Sequence, residues 1–141
     1  MEEYTNGGEV DMVFSLIVAI ITFGMALLQL CLTLGAPFGE YVLGGIHKVL
    51  PNRMRLVSCA FFIAFILVGL VYLQKGNIFY IGFDPMFVNG VVIGNTLFLA
   101  YAIIGNGFLT KSKKEKYLMT PLSIIQFICS LMTLVLFFNN Q

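Results

Sequence analysis

The stretch Met12-Val-Phe-Ser-Leu-Ile-Val-Ala-Ile-Ile-Thr-Phe-Gly-Met-Ala-Leu-Leu-Gln-Leu-Cys-Leu-Thr-Leu34 decides the fold. It runs for 23 residues with no ionisable side chain other than Cys31. As a helix it would extend about 35 Å at 1.5 Å per residue, enough to cross roughly 30 Å of hydrocarbon. Working outward, Leu56–Leu73, Met86–Thr110 and Tyr117–Phe138 are three further uncharged apolar runs of spanning length. Lipid offers no hydrogen-bond partner to an open backbone amide, so each span must satisfy its own backbone, and open-edged sheets are excluded. The predicted fold is all-α, an integral membrane bundle of four transmembrane helices over residues 12–34, 56–73, 86–110 and 117–138, in one domain of residues 1–141.

Composition agrees. Of the 141 residues 59% are hydrophobic and 11% charged, and the mean hydropathy is +0.93. A soluble domain carries about a quarter charged residues and needs a polar exterior, which this chain cannot supply. Abundant aliphatic and aromatic residues exclude a disordered chain, and three cysteines are too few for a disulfide scaffold.

Charge sets the expected orientation. Lys48, Arg53 and Arg55 lie in the first loop, and Lys111, Lys113, Lys114 and Lys116 in the third, against Lys75 alone in the second. The positive-inside rule then puts loops one and three in the cytoplasm and both termini outside. Residues 1–9 carry Glu2, Glu3 and Glu9 but no basic residue, so the first span lacks the basic leader of a cleavable signal and is expected to remain. Gln74–Pro85, with Phe79, Tyr80 and Phe83, reads as an interfacial segment. The first loop, Gly35–Arg55, mixes glycines, prolines, apolar and ionisable residues, and reads as interfacial or re-entrant.

Candidate chemistry is sparse. Cys31, Cys59 and Cys129 fall on three spans without metal or redox spacing and read as packing residues. His47 and Glu40 form the one nearby acid–base combination, too little for a catalytic or metal site. No acidic residue lies in a span interior, which disfavours a proton-coupled transporter such as a small multidrug antiporter. Amides do lie within the spans, among them Gln29, Asn95, Asn106 and Gln126. Amides are unfavourable against lipid, so Gln29, Asn106 and Gln126 are predicted to turn inward as a polar cluster near the basic loops. Above it, Glu40, His47, Arg53 and Arg55 are the candidate ligand site, a mouth for a phosphate-bearing lipid headgroup because arginine binds phosphate bidentately. On the third span Gly90 and Gly94 form a small-x-x-x-small pair, predicted to allow close packing within the bundle or in a dimer.

The run Gln29 to Arg55, with Leu34-Gly-Ala-Pro37, Gly39-Glu40, Gly44-Gly45, His47, Leu50-Pro51, Arg53 and Arg55, resembles a family of small, uncharacterised bacterial four-span membrane proteins. Asn106, Glu115-Lys116 and Met119-Thr-Pro121 match a second motif there, and Phe38 stands where members often have Trp. The resemblance implies a bacterial plasma-membrane location and no particular reaction. The expected role is a non-enzymatic membrane protein that binds a partner protein or lipid, with no cofactor and no metal. Its expected partners are membrane lipids and a second copy of the chain or another membrane protein, with no nucleic acid. The alternative is a lipid-processing enzyme or small-molecule transporter with a cytoplasmic-side interfacial site.

Overall fold

A computed structural model describes residues 2–139. Four long helices dominate it: α1 (Glu2–Thr33), α2 (Asn52–Lys75), α3 (Pro85–Ile104) and α4 (Lys113–Asn139). All four are long and apolar enough to cross a membrane, and no described residue forms a strand. The chain is therefore an all-helical multi-pass membrane bundle. Side chains such as Ile20, Leu27, Ile63 and Leu97, each more than 60% exposed, form its apolar outer surface.

The helix ends follow local chemistry. Asp84 caps α3 by accepting from the Met86 and Phe87 amides, with Pro85 at the first helical position where a missing N–H costs nothing. Gln74, near the end of α2, organises the second loop. Its Oε1 accepts from the amides of Ile81, Gly82 and Phe83, and its Nε2 donates to the Phe83 carbonyl at 2.7 Å. Beyond Ile104, α3 widens into a π-helical turn over Gly105–Leu109, closed by the Thr110 amide donating to the Gly105 carbonyl.

Helix α1 sits between α2 and α4, α3 packs on α4, and the α2–α3 seam is the sparsest of the four. On the α1–α2 seam Gly69 admits the Phe23 ring, which lies 2.6 Å from where a Cβ would stand. The main core is Val18, Ala19, Val71, Tyr72, Val88, Val92 and Cys129. A second, Leu32, Val42, Leu50 and Met119, joins the first loop to the helices at the end bearing most of the lysines and arginines, the basic end.

That loop folds over the start of α4 through two short 3-10 turns, Gly39–Tyr41 and Leu43–Gly45. The Gly39 amide donates to the Lys48 carbonyl, and Ser112 donates to the Glu40 carbonyl. Gly45 has φ +63° and the Ser112 side chain occupies the place a Cβ would take, so a larger residue there would open the join.

Gly90 and Gly94 do not pack within the bundle: both are exposed, with open space where a Cβ would stand. The inward face of α3 is instead Val88, Val92, Thr96 and Leu99, on roughly the opposite side of the helix from the glycines at about 100° per residue, and these larger side chains set its distance from its neighbours.

Candidate ligand cavity

The helices bury polar residues inward. Seven residues separate Ser15 from Thr22 on α1 and Gln126 from Thr133 on α4, so an antiparallel pair can bring them together rung by rung. Ser15 meets Thr133 at 3.5 Å, and Gln126 Nε2 donates to Thr22 Oγ1 at 2.8 Å. Gln29 continues the seven-residue spacing on α1, and its buried Oε1 has no partner. At mid-bundle, Tyr72, Thr96 and Ser130 join their hydroxyls, and Asn95 Nδ2 donates to the Tyr72 hydroxyl at 3.2 Å. The half of the bundle away from the basic loops is thus far richer in buried hydroxyls than its span amides suggest.

Where the ladder ends, a cavity of about 380 Å³ begins, within the range of small-molecule sites. Gln29, Asn106 and Gln126 all line it, with Asn95, Thr22 and Ser123. Asn106, set in the π-helical turn, donates through Nδ2 to Ser123 Oγ at 3.3 Å. Wide turns of this kind re-aim side chains and recur at functional sites. Tyr41, Val42, Leu43 and Gly44 of the first loop close the basic end. The flank between α2 and α3 is walled by Phe61, Phe65, Phe98 and Tyr101, the first three in a tilted aromatic cluster with centroids 5.8 to 6.5 Å apart. Phe98 and Tyr101 are 39% and 66% exposed, so this wall also faces the lipid side of the bundle.

Glu40, His47, Arg53 and Arg55 do not gather at this cavity, and none of them lines it. Glu40 pairs with Lys114, whose hydrogen bond and charge hold the Glu40 carboxyl below the usual carboxylate range. Arg55 donates through Nε to the Leu50 carbonyl at 2.9 Å and packs over Gly35. His47 and Arg53 are exposed. Local pairing has taken two of the four groups, because the compact loop has carbonyls and charges nearer than any shared ligand. Ser58 is buried with an unpartnered hydroxyl but does not line the cavity. The cysteines are free, and the described residues contain no cluster of His, Cys, Asp or Glu able to hold a metal.

Sequence reasoning missed Glu115. Starting the fourth span at residue 117 left Glu115 in the third loop, whereas α4 starts at Lys113 and places Glu115 in its first turn, 5% exposed and on the cavity lining. Its carboxylate accepts from the Gly44 amide at 3.3 Å and from the Thr110 hydroxyl. A signal was present: Glu115, Met119, Ser123, Gln126, Ser130 and Thr133 recur at three- and four-residue steps, the period of one helix face.

Comparison of the chain with protein-family models, with curated proteins and with solved structures returned no match, so its functional reading rests on this geometry.

Proposed function

We propose that the chain is a non-enzymatic integral membrane protein that holds a lipid-like amphiphile in the cavity between its helices. The observation that carries this reading is a 380 Å³ cavity lined both by buried polar side chains, among them Gln29 with its unpartnered Oε1, and by a half-exposed aromatic flank. A polar atom without a partner in low dielectric costs about 1–3 kcal/mol, which a ligand's hydrogen bond would recover. The aromatic flank suits an apolar tail arriving through the bilayer. No His or Cys lines the cavity beside Glu115, so binding fits this lining better than acid–base or nucleophilic chemistry.

In this reading the basic loops lie in the cytoplasm and both termini outside, by the asymmetry of Lys and Arg between the loops. The bacterial plasma membrane is the expected location, on the first-loop resemblance. The test is native mass spectrometry from mild detergent, comparing the wild type with Ala102→Trp, which fills the cavity from α3. A retained small amphiphile in the wild type, lost in the variant, is the expected result. The same retained species on both proteins would overturn the reading.

A further inference from the structure

Glu115 is an unusual group to find in this position. It is buried beneath the first loop, and both of its hydrogen-bond donors, the Gly44 amide and the Thr110 hydroxyl, are neutral. Among the described residues no cationic side chain pairs with it: Lys114 is engaged by Glu40, and Lys111, Lys113 and Lys116 are exposed. Its place at the start of α4 gives it the favourable end of the helix dipole, but that interaction is modest, up to about 1 kcal/mol for a carboxylate. Burying a carboxylate without a counter-charge is costly, and the partner that relieves it must come from elsewhere. The space beside Glu115 is the cavity, whose lining contains no Lys, Arg or His. Gln29, whose buried Oε1 has no partner, lines the same cavity.

We propose that the amphiphile this cavity takes is a lipophilic amine, with its ammonium group on Glu115 and its chain running out between Phe61, Phe65 and Phe98. The inference rests on the cavity reading above and adds the chemistry of the head. An ionised carboxylate only accepts hydrogen bonds, so it selects a donor, and it selects a charged donor most strongly because an ammonium adds the attraction of opposite charges to the bond that any donor makes with it. The aromatic wall is compatible with the same choice, since ring faces attract cations. An anionic head would meet Glu115 with no basic side chain on the lining to offset the repulsion. A phosphate-bearing lipid therefore suits this cavity poorly, whatever the arginines of the first loop bind.

The experiment uses the full chain in mild detergent with three probes of one tail length: dodecylamine, dodecanol and dodecanoate. Binding is read by native mass spectrometry and by the shift in thermal unfolding. Dodecylamine is expected to bind the wild type about ten-fold or more tightly than dodecanol, the difference between an ion pair and a hydrogen bond to one charged partner, and dodecanoate more weakly than either. In Glu115→Gln the amine should lose its advantage over the alcohol, while dodecanol, which can still donate to the amide oxygen, falls far less than the amine. If dodecanol or dodecanoate matches the amine on the wild type, a comparison that needs no variant, the head-group assignment is overturned while the cavity reading survives. If none of the three binds and Ala102→Trp also retains the wild-type species, both fall together.

Discussion

Two seams of the bundle run the length of the membrane and are built in opposite ways. Between α1 and α4 the meeting residues are small or polar, Ser15 with Thr133 and Thr22 with Gln126, all nearly or fully buried, and beside them on α4 the buried Ser130 bonds to α2 and α3. Between α2 and α3 the facing residues are Phe61, Phe65 and Phe98, which meet ring to ring and stay partly exposed. Inside a bilayer the difference matters more than it would in water. Lipid tails are as apolar as phenylalanine, so nothing drives the aromatic seam shut, whereas small side chains gain from close approach and hydroxyls gain from finding each other. The polar seam is the spine, and the aromatic seam is where the cavity reaches the side of the molecule.

The strongest way to break that contrast is to make the closed seam large and apolar. Ser130→Leu puts a bulky side chain where a fully buried hydroxyl now joins Tyr72 and Thr96. It overpacks the site and takes one hydrogen bond from each of two buried hydroxyls, which keep Asn95 and the Val92 carbonyl as partners, and should cost about 3 kcal/mol, read as a marked drop in thermal unfolding temperature in detergent. A wild-type unfolding temperature for this variant would mean that the polar spine contributes little.

The same measurement on the open seam should move less. Phe61→Ala combined with Phe65→Ala removes two rings that already touch the lipid side, and should cost only about 1 kcal/mol, because lipid can replace them. The variant sharpens the contrast in a second way. Retention of a bound amphiphile should fall more than stability does, since these rings wall the cavity. A stability loss equal to that of Ser130→Leu would show that both seams hold the bundle alike.

The smallest effect lies outside both seams, in the first loop that closes the cavity's basic end. The hydrogen bond and charge of Lys114 lower the Glu40 pKa, so the pair contributes stability above the carboxyl's unfolded pKa, and the contribution is lost as pH falls through the folded one. Glu40→Gln should flatten that acid-side decline slightly and leave neutral-pH stability nearly unchanged, because the pair is exposed and screened. This is checked by unfolding temperature against pH at fixed salt. An acid-side decline of the same size in the variant would assign it to another carboxylate.

Which parts were legible beforehand follows from how locally each is determined. A run such as Met12–Leu34 names its own environment: an uncharged apolar stretch of that length has one stable home, and the helix is the structure that satisfies its backbone there. The inward turn of Gln29, Asn106 and Gln126 was equally readable, since an amide is unfavourable against lipid wherever it sits on the helix. The sequence could also have exposed the seven-residue recurrence of Ser15, Thr22 and Gln29, but only the partner helix shows that the first two are met and the third is not. Glu115 was hidden by its neighbours. Four lysines around it suggest water, and its burial depends on the first loop, some 70 residues earlier, folding down so that Gly44 reaches it.

Span number, helical class and the polarity of the helix faces were therefore set by the chain's local chemistry, because hydrophobic length and backbone hydrogen bonding act within a segment. Tertiary structure alone decided that Glu40 spends its charge on Lys114, that Arg55 turns to the Leu50 carbonyl, and that Gly90 and Gly94 face outward. It also decided that a buried acid and an unpartnered amide share one cavity. Each of those outcomes is a competition between partners far apart in sequence, and its result depends on distances that no single segment contains.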